Sequence, residues 1–294
     1  MKSNYRYIVK AFMAMAVIAG TTSCDDFLDR EPMSSISPET YYSTAAQLEA
    51  NLNDEYPNVL PSFGQWTYGI FGEDKGTDNQ IEVNANDRYT QDRWKVPHSE
   101  SDNWKFERIY RINFFLSEAL PKFGEDMSGS QNTISGSVAT IKHYIGEMYF
   151  LRAYEYFKKL QLFGDFPIIN QPLADEMEAL REASKRFPRN EVARFIISDL
   201  DKAYAYMSDV DMATTRINKD VAMLVKSRVA LFEATWLQNF KGTAFVPGGE
   251  GWPGASLHNN YQYPSGNIDN EVKYFLEQAV EASKLVADKY KGSL

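Results

Sequence analysis

Apolar positions along the chain recur mostly at helical spacing, and polar punctuation separates the runs. Thr44-Ala45-Ala46-Gln47 has the form of a capping box, in which a threonine and a glutamine three residues on satisfy each other's end of a helix. Leu48, Leu52 and Tyr56 follow at four-residue intervals, so the pattern predicts a helix over 45–56 that Pro57 stops. Upstream, Ser37-Pro38-Glu39 reads as another N-cap with a first-turn proline. A second helix is predicted over 103–123, where Trp104, Ile109, Ile112, Phe115, Leu116 and Leu120 share a broad stripe and Pro121 ends it or sits in its last turn. A third, over 137–163, is apolar or aromatic on more than one side, the mark of a helix buried all round. Gly164 suits its C-terminal stop and Pro167 lies just beyond. Asn190 is expected to cap a helix over 190–207, and further helices are expected over 219–238 and 270–290. No comparable series of period-two strands is present.

The expected fold class is therefore mostly α. Helices pair as 103–123 with 137–163 and 190–207 with 219–238, and 270–290 opens a third pair. Small residues (Ala153, Ala203, Ala222, Ala230 and Ala279) stand where close packing needs them. The arrangement is that of degenerate tetratricopeptide-like helix pairs sharing one core, with long irregular loops between them.

The 294 residues suffice for one large domain or two ordinary ones. No apolar run reaches the ~20 residues of a membrane-spanning helix. The formal net charge is −9 with no basic cluster, which argues against nucleic acid as a partner.

The N-terminus has a different character. Lys2, Arg6 and Lys10 precede the apolar run Ala11 to Gly20, and Thr21-Thr22-Ser23 leads to Cys24, the only cysteine. This is a signal segment, and a lone thiol in an exported chain has no disulfide partner. Cys24 is expected to be the lipid attachment point, with residues 1–23 as a lipoprotein signal peptide. The other reading is an ordinary signal peptide with an incidental cysteine. Removing residues 1–23 takes away three positive charges and no negative one, so the net charge deepens from −9 to −12. Such a body is repelled by anionic lipid and stands off the membrane on its tether.

The stretch "LRAYEYFKKLQLFGDFP" (151–167) resembles the signature helix of SusD/RagB-type outer-membrane lipoproteins of Bacteroidetes. Leu151, Arg152, Ala153, Tyr156, Phe157, Leu160, Leu162, Phe163, Gly164, Asp165 and Pro167 carry the likeness. "SCDDFLDREP" (23–32), "WKFERIYRINFFL" (104–116), "EVARFIISDLDKA" (191–203) and "DVAMLVKSRVALF" (220–232) are similar to other blocks of that family. The resemblance implies a cell-surface glycan-binding lipoprotein, anchored in the outer membrane and facing outward, that delivers oligosaccharide to a SusC-type TonB-dependent transporter. It implies no enzyme activity and no cofactor, and it makes Asp25 and Asp26 part of a surface-export signal. Family members are usually longer, so residues 24–294 resemble the N-terminal portion of the helical-repeat domain.

Sugars present C–H faces that pack on aromatic rings and hydroxyl pairs that suit fork-like polar side chains. Two loop segments have that mixture. The first, 71–94, offers Asp74, Asp78, Asn79, Asn84, Arg88, Tyr89 and Trp94. The second, 239–269, offers Trp252, Asn260, Tyr261 and Tyr263. The alternative is that these aromatics fold back and pin the loops to the scaffold. Arg152 and the Phe163–Pro167 turn are expected to be structural, with the guanidinium paired to a carboxylate or to helix-end carbonyls. His98, His143 and His258 are scattered without metal-ligand spacing, and the acidic run at 73–92 does not match a calcium loop. No hydrolase, P-loop or dinucleotide motif occurs. An exported all-α glycosidase or lyase, or a scaffold that binds only proteins, remains the alternative function.

Overall fold

The structure is a computed structural model that describes residues 41–61, 80, 103–124, 126–208 and 212–292. Helix α1 spans Ala45–Val59, and its predicted capping box is formed. Gln47 N–H donates to Thr44 Oγ1 at 3.3 Å and Thr44 N–H donates to Gln47 Oε1 at 3.0 Å. Pro57 does not stop this helix but lies in its last turn, where the lost donor costs one bond and the helix ends two residues later.

Helix α2 spans Glu107–Phe123, four residues shorter at its start than the periodicity suggested. Trp104 is drawn out of the helix to pack edge-on against Phe163 and Phe166, with ring centres 4.8 Å away in each case. Pro121 sits in the last turn.

Helix α3 (Val138–Phe163) is the centre of the molecule. It buries residues on every side and meets α1, α2 and the fifth helix. Gly146 marks its closest approach to that fifth helix: a Cβ there would lie 2.8 Å from the Met207 backbone nitrogen and 3.0 Å from the Ala203 carbonyl oxygen. Gly164 ends α3 at φ +67°, a conformation that favours glycine.

Helix α4 (Met177–Ala183) buries none of its residues and was not visible in the periodicity. Helix α5 (Arg189–Tyr206) begins one residue before Asn190, with Pro188 at the cap position, so the expectation that Asn190 caps it is corrected. Asn190 is instead fully buried within the first turn, and its amide bonds to other elements. Asn218 caps α6 (Lys219–Asn239) and Asn267 caps α7 (Ile268–Tyr290). No β-strand occurs among the described residues.

The expected pairs α2–α3 and α5–α6 are formed, and contacts between successive pairs (α3–α5 and α6–α7) are more extensive still. Each helix thus adds to one continuous core, as in tetratricopeptide-like folds. All five alanines named above are buried in it. The described residues from Tyr42 onward pack as a single unit.

Arg152 joins three of these helices. Its Nε and Nη2 donate to Asp199 of α5 at 2.6 and 2.8 Å. Its Nη1 donates to Asn113 Oδ1 of α2 at 2.9 Å and to the Asn170 carbonyl at 3.1 Å. Arg152 is 3% exposed and Asp199 not at all, so the predicted carboxylate partner is present and dry.

Candidate functional site

Where α3 stops, Asp165 becomes a junction. Its Oδ1 accepts the Arg189 backbone N–H at 2.9 Å and its Oδ2 accepts the Trp252 indole N–H at 2.7 Å. Phe166 and Phe187 exchange backbone hydrogen bonds beside it. Burial pushes the Asp165 carboxyl above its ordinary value, against the lowering effect of those two donors. One residue of the family-like turn therefore ties the end of α3, the start of α5 and the 240–267 loop together. Arg189 adds a second tie, with its Nε and Nη2 on Glu233 of α6 at 3.0 and 2.9 Å. Its guanidinium lies 4.1 Å from the Trp236 ring centre, a cation–π contact.

The second nominated loop is built inward onto this junction. Trp252 is only 5% exposed. Its ring packs on His258 and Tyr261, with centres 6.0 and 5.7 Å away, and Tyr261 meets Tyr263 at 5.2 Å. The polar tips are committed as well. The Tyr261 hydroxyl pairs with the Asn190 amide at 2.8 Å, and Tyr263 donates to the Pro247 carbonyl at 2.7 Å. The expectation that Trp252 presents an open ring to ligand is therefore corrected: the indole is a pin, as the fold-back alternative had it. Tyr261 and Tyr263 are half-buried in the same stack, and Asn260 is exposed at a turn with φ +54°. Asp74, Asp78, Asn79, Asn84, Arg88, Tyr89 and Trp94 lie outside the described residues, as does Cys24.

Glu271 locks the far end of this loop. Its carboxylate accepts from Arg194 at 2.7 and 2.8 Å, from the Ser265 N–H at 3.1 Å and from the Asn190 amide at 3.1 Å. Burial works against the charge, but these donors outweigh it and hold the carboxyl below its ordinary value. A depressed folded-state value means stability that is present above the unfolded value, near pH 4.5, and lost as pH falls through the folded one. Glu271→Gln is therefore expected to destabilise the chain at pH 7 by about 1–3 kcal/mol, with the gap to the parent narrowing below pH 4.5. Urea titrations at pH 7 and pH 3.5 measure this, and a gap that stays constant would refute it.

Two hollows remain. The larger, about 550 Å³, has His143, Arg216 and Lys289 in its wall. His143 Nδ1 accepts the Ser208 N–H at 3.2 Å, so Nε2 carries the proton and faces the Ile217 carbonyl at 3.0 Å. Glu147 beside it accepts from Arg216 at 2.8 and 2.6 Å and from the Tyr56 hydroxyl at 2.9 Å. Both imidazole nitrogens are committed, which suits structure rather than proton transfer. No cluster of three or more His, Cys, Asp or Glu side chains suited to a metal ion occurs among the described residues.

The smaller hollow, about 280 Å³, opens at the first turns of α2. Phe106, Ile109 and Tyr110 form one wall, and Ile169, Gln171, Leu173, Asp175 and Leu180 form the other. The sequence pattern did not reveal it, because the second wall comes mostly from the aperiodic segment between α3 and α4.

A model of the SusD-like family, described as starch-binding and associating with the outer membrane, matches residues 26–231. The chain belongs to the SusD-like family. SusD-like protein P2 of Formosa agariphila is 25% identical over 253 residues, which cover 82% of this chain and 46% of that one. SusD-like protein P25 of the same organism is 25% identical over 233 residues, 73% of this chain and 41% of the relative. The chain thus spans less than half the length of these relatives. Among solved structures, a SusD-like carbohydrate-binding protein from Bacteroides vulgatus is 16% identical with a TM-score of 0.49, covering 84% of this SusD-like chain and 45% of that structure.

Proposed function

We propose that this SusD-like chain is a surface lipoprotein that binds oligosaccharide and passes it, unhydrolysed, to a SusC-type TonB-dependent transporter. Membership of a starch-binding, outer-membrane-associated family carries the reading. Lipidation at Cys24 would hold the body at the outer membrane. The segment 71–94 is proposed as one contact region, with Trp94 and Tyr89 packing on sugar C–H faces and Asp74, Asp78, Asn79, Asn84 and Arg88 bonding hydroxyls. In the second loop, Asn260 and the half-buried Tyr263 stay in the proposal, while Trp252 and Tyr261 act by holding the loop's shape.

The test is a glycan array with the chain purified in mild detergent, followed by calorimetry on the best ligand. Binding without release of reducing sugar is expected, and Trp94→Ala is expected to weaken it about tenfold, the worth of one good aromatic contact. Metabolic labelling with radioactive palmitate is expected to mark the parent but not Cys24→Ala, and the labelled chain is expected to co-purify with a large outer-membrane β-barrel. A chain that binds no glycan yet retains the barrel would make it a protein scaffold instead. Liberation of reducing ends would make it an enzyme.

A further inference from the structure

The hollow at the start of α2 differs from the aromatic cluster around Trp252. Around Trp252, Tyr261 and Tyr263 each polar tip is bonded within the fold. In the hollow, the Tyr110 hydroxyl, the Gln171 amide and the Asp175 carboxylate have no partner among the described residues. Tyr110 as a residue is 51% exposed while its ring stacks on Phe114 with centres 6.1 Å apart, so it is supported on one side and still open. Phe106 spends one face on Phe166, with centres 5.2 Å apart and planes 17° from parallel, and lines the hollow besides.

We propose that this hollow is a subsite for one ring of a neutral glycan. The inference rests on the glycan-binding reading and names its substrate class. Ring C–H groups would pack on Tyr110 and Phe106. Gln171 offers a donor and an acceptor to a hydroxyl pair, and the Asp175 carboxylate accepts from two adjacent hydroxyls. The volume of about 280 Å³ lies at the small end of ligand pockets, which suits a single ring rather than a chain of them. Among the described residues no lining side chain is cationic, and the one lining charge is Asp175. A uronate or sulfated sugar would therefore meet repulsion from Asp175 with no cation among the described lining to offset it.

Calorimetry on the chain purified in mild detergent tests this, with neutral gluco-, manno- and xylo-oligosaccharides set against oligogalacturonates as probes. Tyr110→Ala is expected to weaken the neutral ligand about tenfold, and Gln171→Ala severalfold. Val280→Ala, on an exposed stretch of α7, is expected to bind as the parent does. Asp175→Lys is expected to shift preference toward the oligogalacturonates. Circular dichroism melts identify any variant that fails to fold, and Gln171 is exposed enough that its truncation leaves the core intact. If the parent binds a neutral glycan and both truncations bind equally well, the subsite is refuted while the function stands. Tighter binding of the parent to oligogalacturonates overturns the neutral class. If the parent binds none of the probes, both readings fall. A parent that is dimeric by light scattering, and monomeric as Tyr110→Ala, makes a second copy the occupant and also overturns the subsite.

Discussion

Arg152→Leu is expected to be among the most damaging single substitutions in this chain, at about 3–5 kcal/mol of unfolding free energy. The side chain removed is small in volume beside what it leaves. Asp199 keeps a carboxylate at 0% exposure with neither guanidinium donor, and Asn113 loses the charged donor on its side-chain oxygen. The rings of Tyr149 and Phe195, each 5.3 Å from the guanidinium, lose their cation. The cost belongs mainly to the stranded carboxylate, not to the pair itself, because bringing two charges out of water is expensive. Arg152→Leu combined with Asp199→Leu is therefore expected to recover most of the loss. Arg152→Lys is not a mild change, since one ammonium cannot reproduce a forked pair and two further bonds. Urea unfolding followed by circular dichroism gives the four free energies. An Arg152→Leu chain within about 1 kcal/mol of the parent, the worth of an ordinary hydrogen bond, would show that the hub does not hold these helices together.

That hub was partly legible beforehand. A charged residue inside a helix apolar on all sides must find a partner, and Arg152 did. Its partner could not be named, because Asp199 lies 47 residues away and looks like any polar position on α5. The same division runs through the fold. Thr44, Asn218 and Asn267 cap from their own side chains, so local sequence and local structure agree. Asn190 misled because a capping residue type had been claimed by tertiary contacts with Tyr261 and Glu271. α4 has too few apolar positions to show a period, and the structure buries none of them. For the loop aromatics, composition states what a ring could do but not which way it faces. Trp252 proved to be a pin because Asp165, 87 residues earlier, waits for its N–H.

Scaffold and loop are thus one mechanical system. The stretch 151–167, which carries the sequence resemblance, runs through the end of α3, and Asp165 within it bonds inward. What it does is fix the position of the 240–267 loop, whose exposed Asn260 is among the ligand contacts proposed above. Rigid placement of this kind lowers the ordering cost that a binding loop would otherwise meet when it captures a sugar.

Asp165→Ala is accordingly expected to act on the loop before the core. It strands two buried donors, the Arg189 backbone N–H and the Trp252 indole N–H, at about 1–3 kcal/mol each. The raised carboxyl value implies that the charge is itself poorly solvated there, so part of that cost is offset when the charge is removed. The net expectation is about 2–4 kcal/mol, unevenly distributed. Hydrogen exchange followed by mass spectrometry is expected to quicken over 240–267 and the first turn of α5, and to stay slow in α2 and the first half of α3. Trp252→Phe keeps the ring packing and loses only the indole donor, so its effect is expected to fall near 1–2 kcal/mol and to leave glycan affinity close to the parent's. Should Asp165→Ala unfold every helix together with no excess exchange in the loop, Asp165 is part of the common core and not a loop clamp. If Trp252→Phe instead abolishes glycan binding in a chain that melts normally, the indole touches ligand after a rearrangement, and its burial is the closed state of a binding residue.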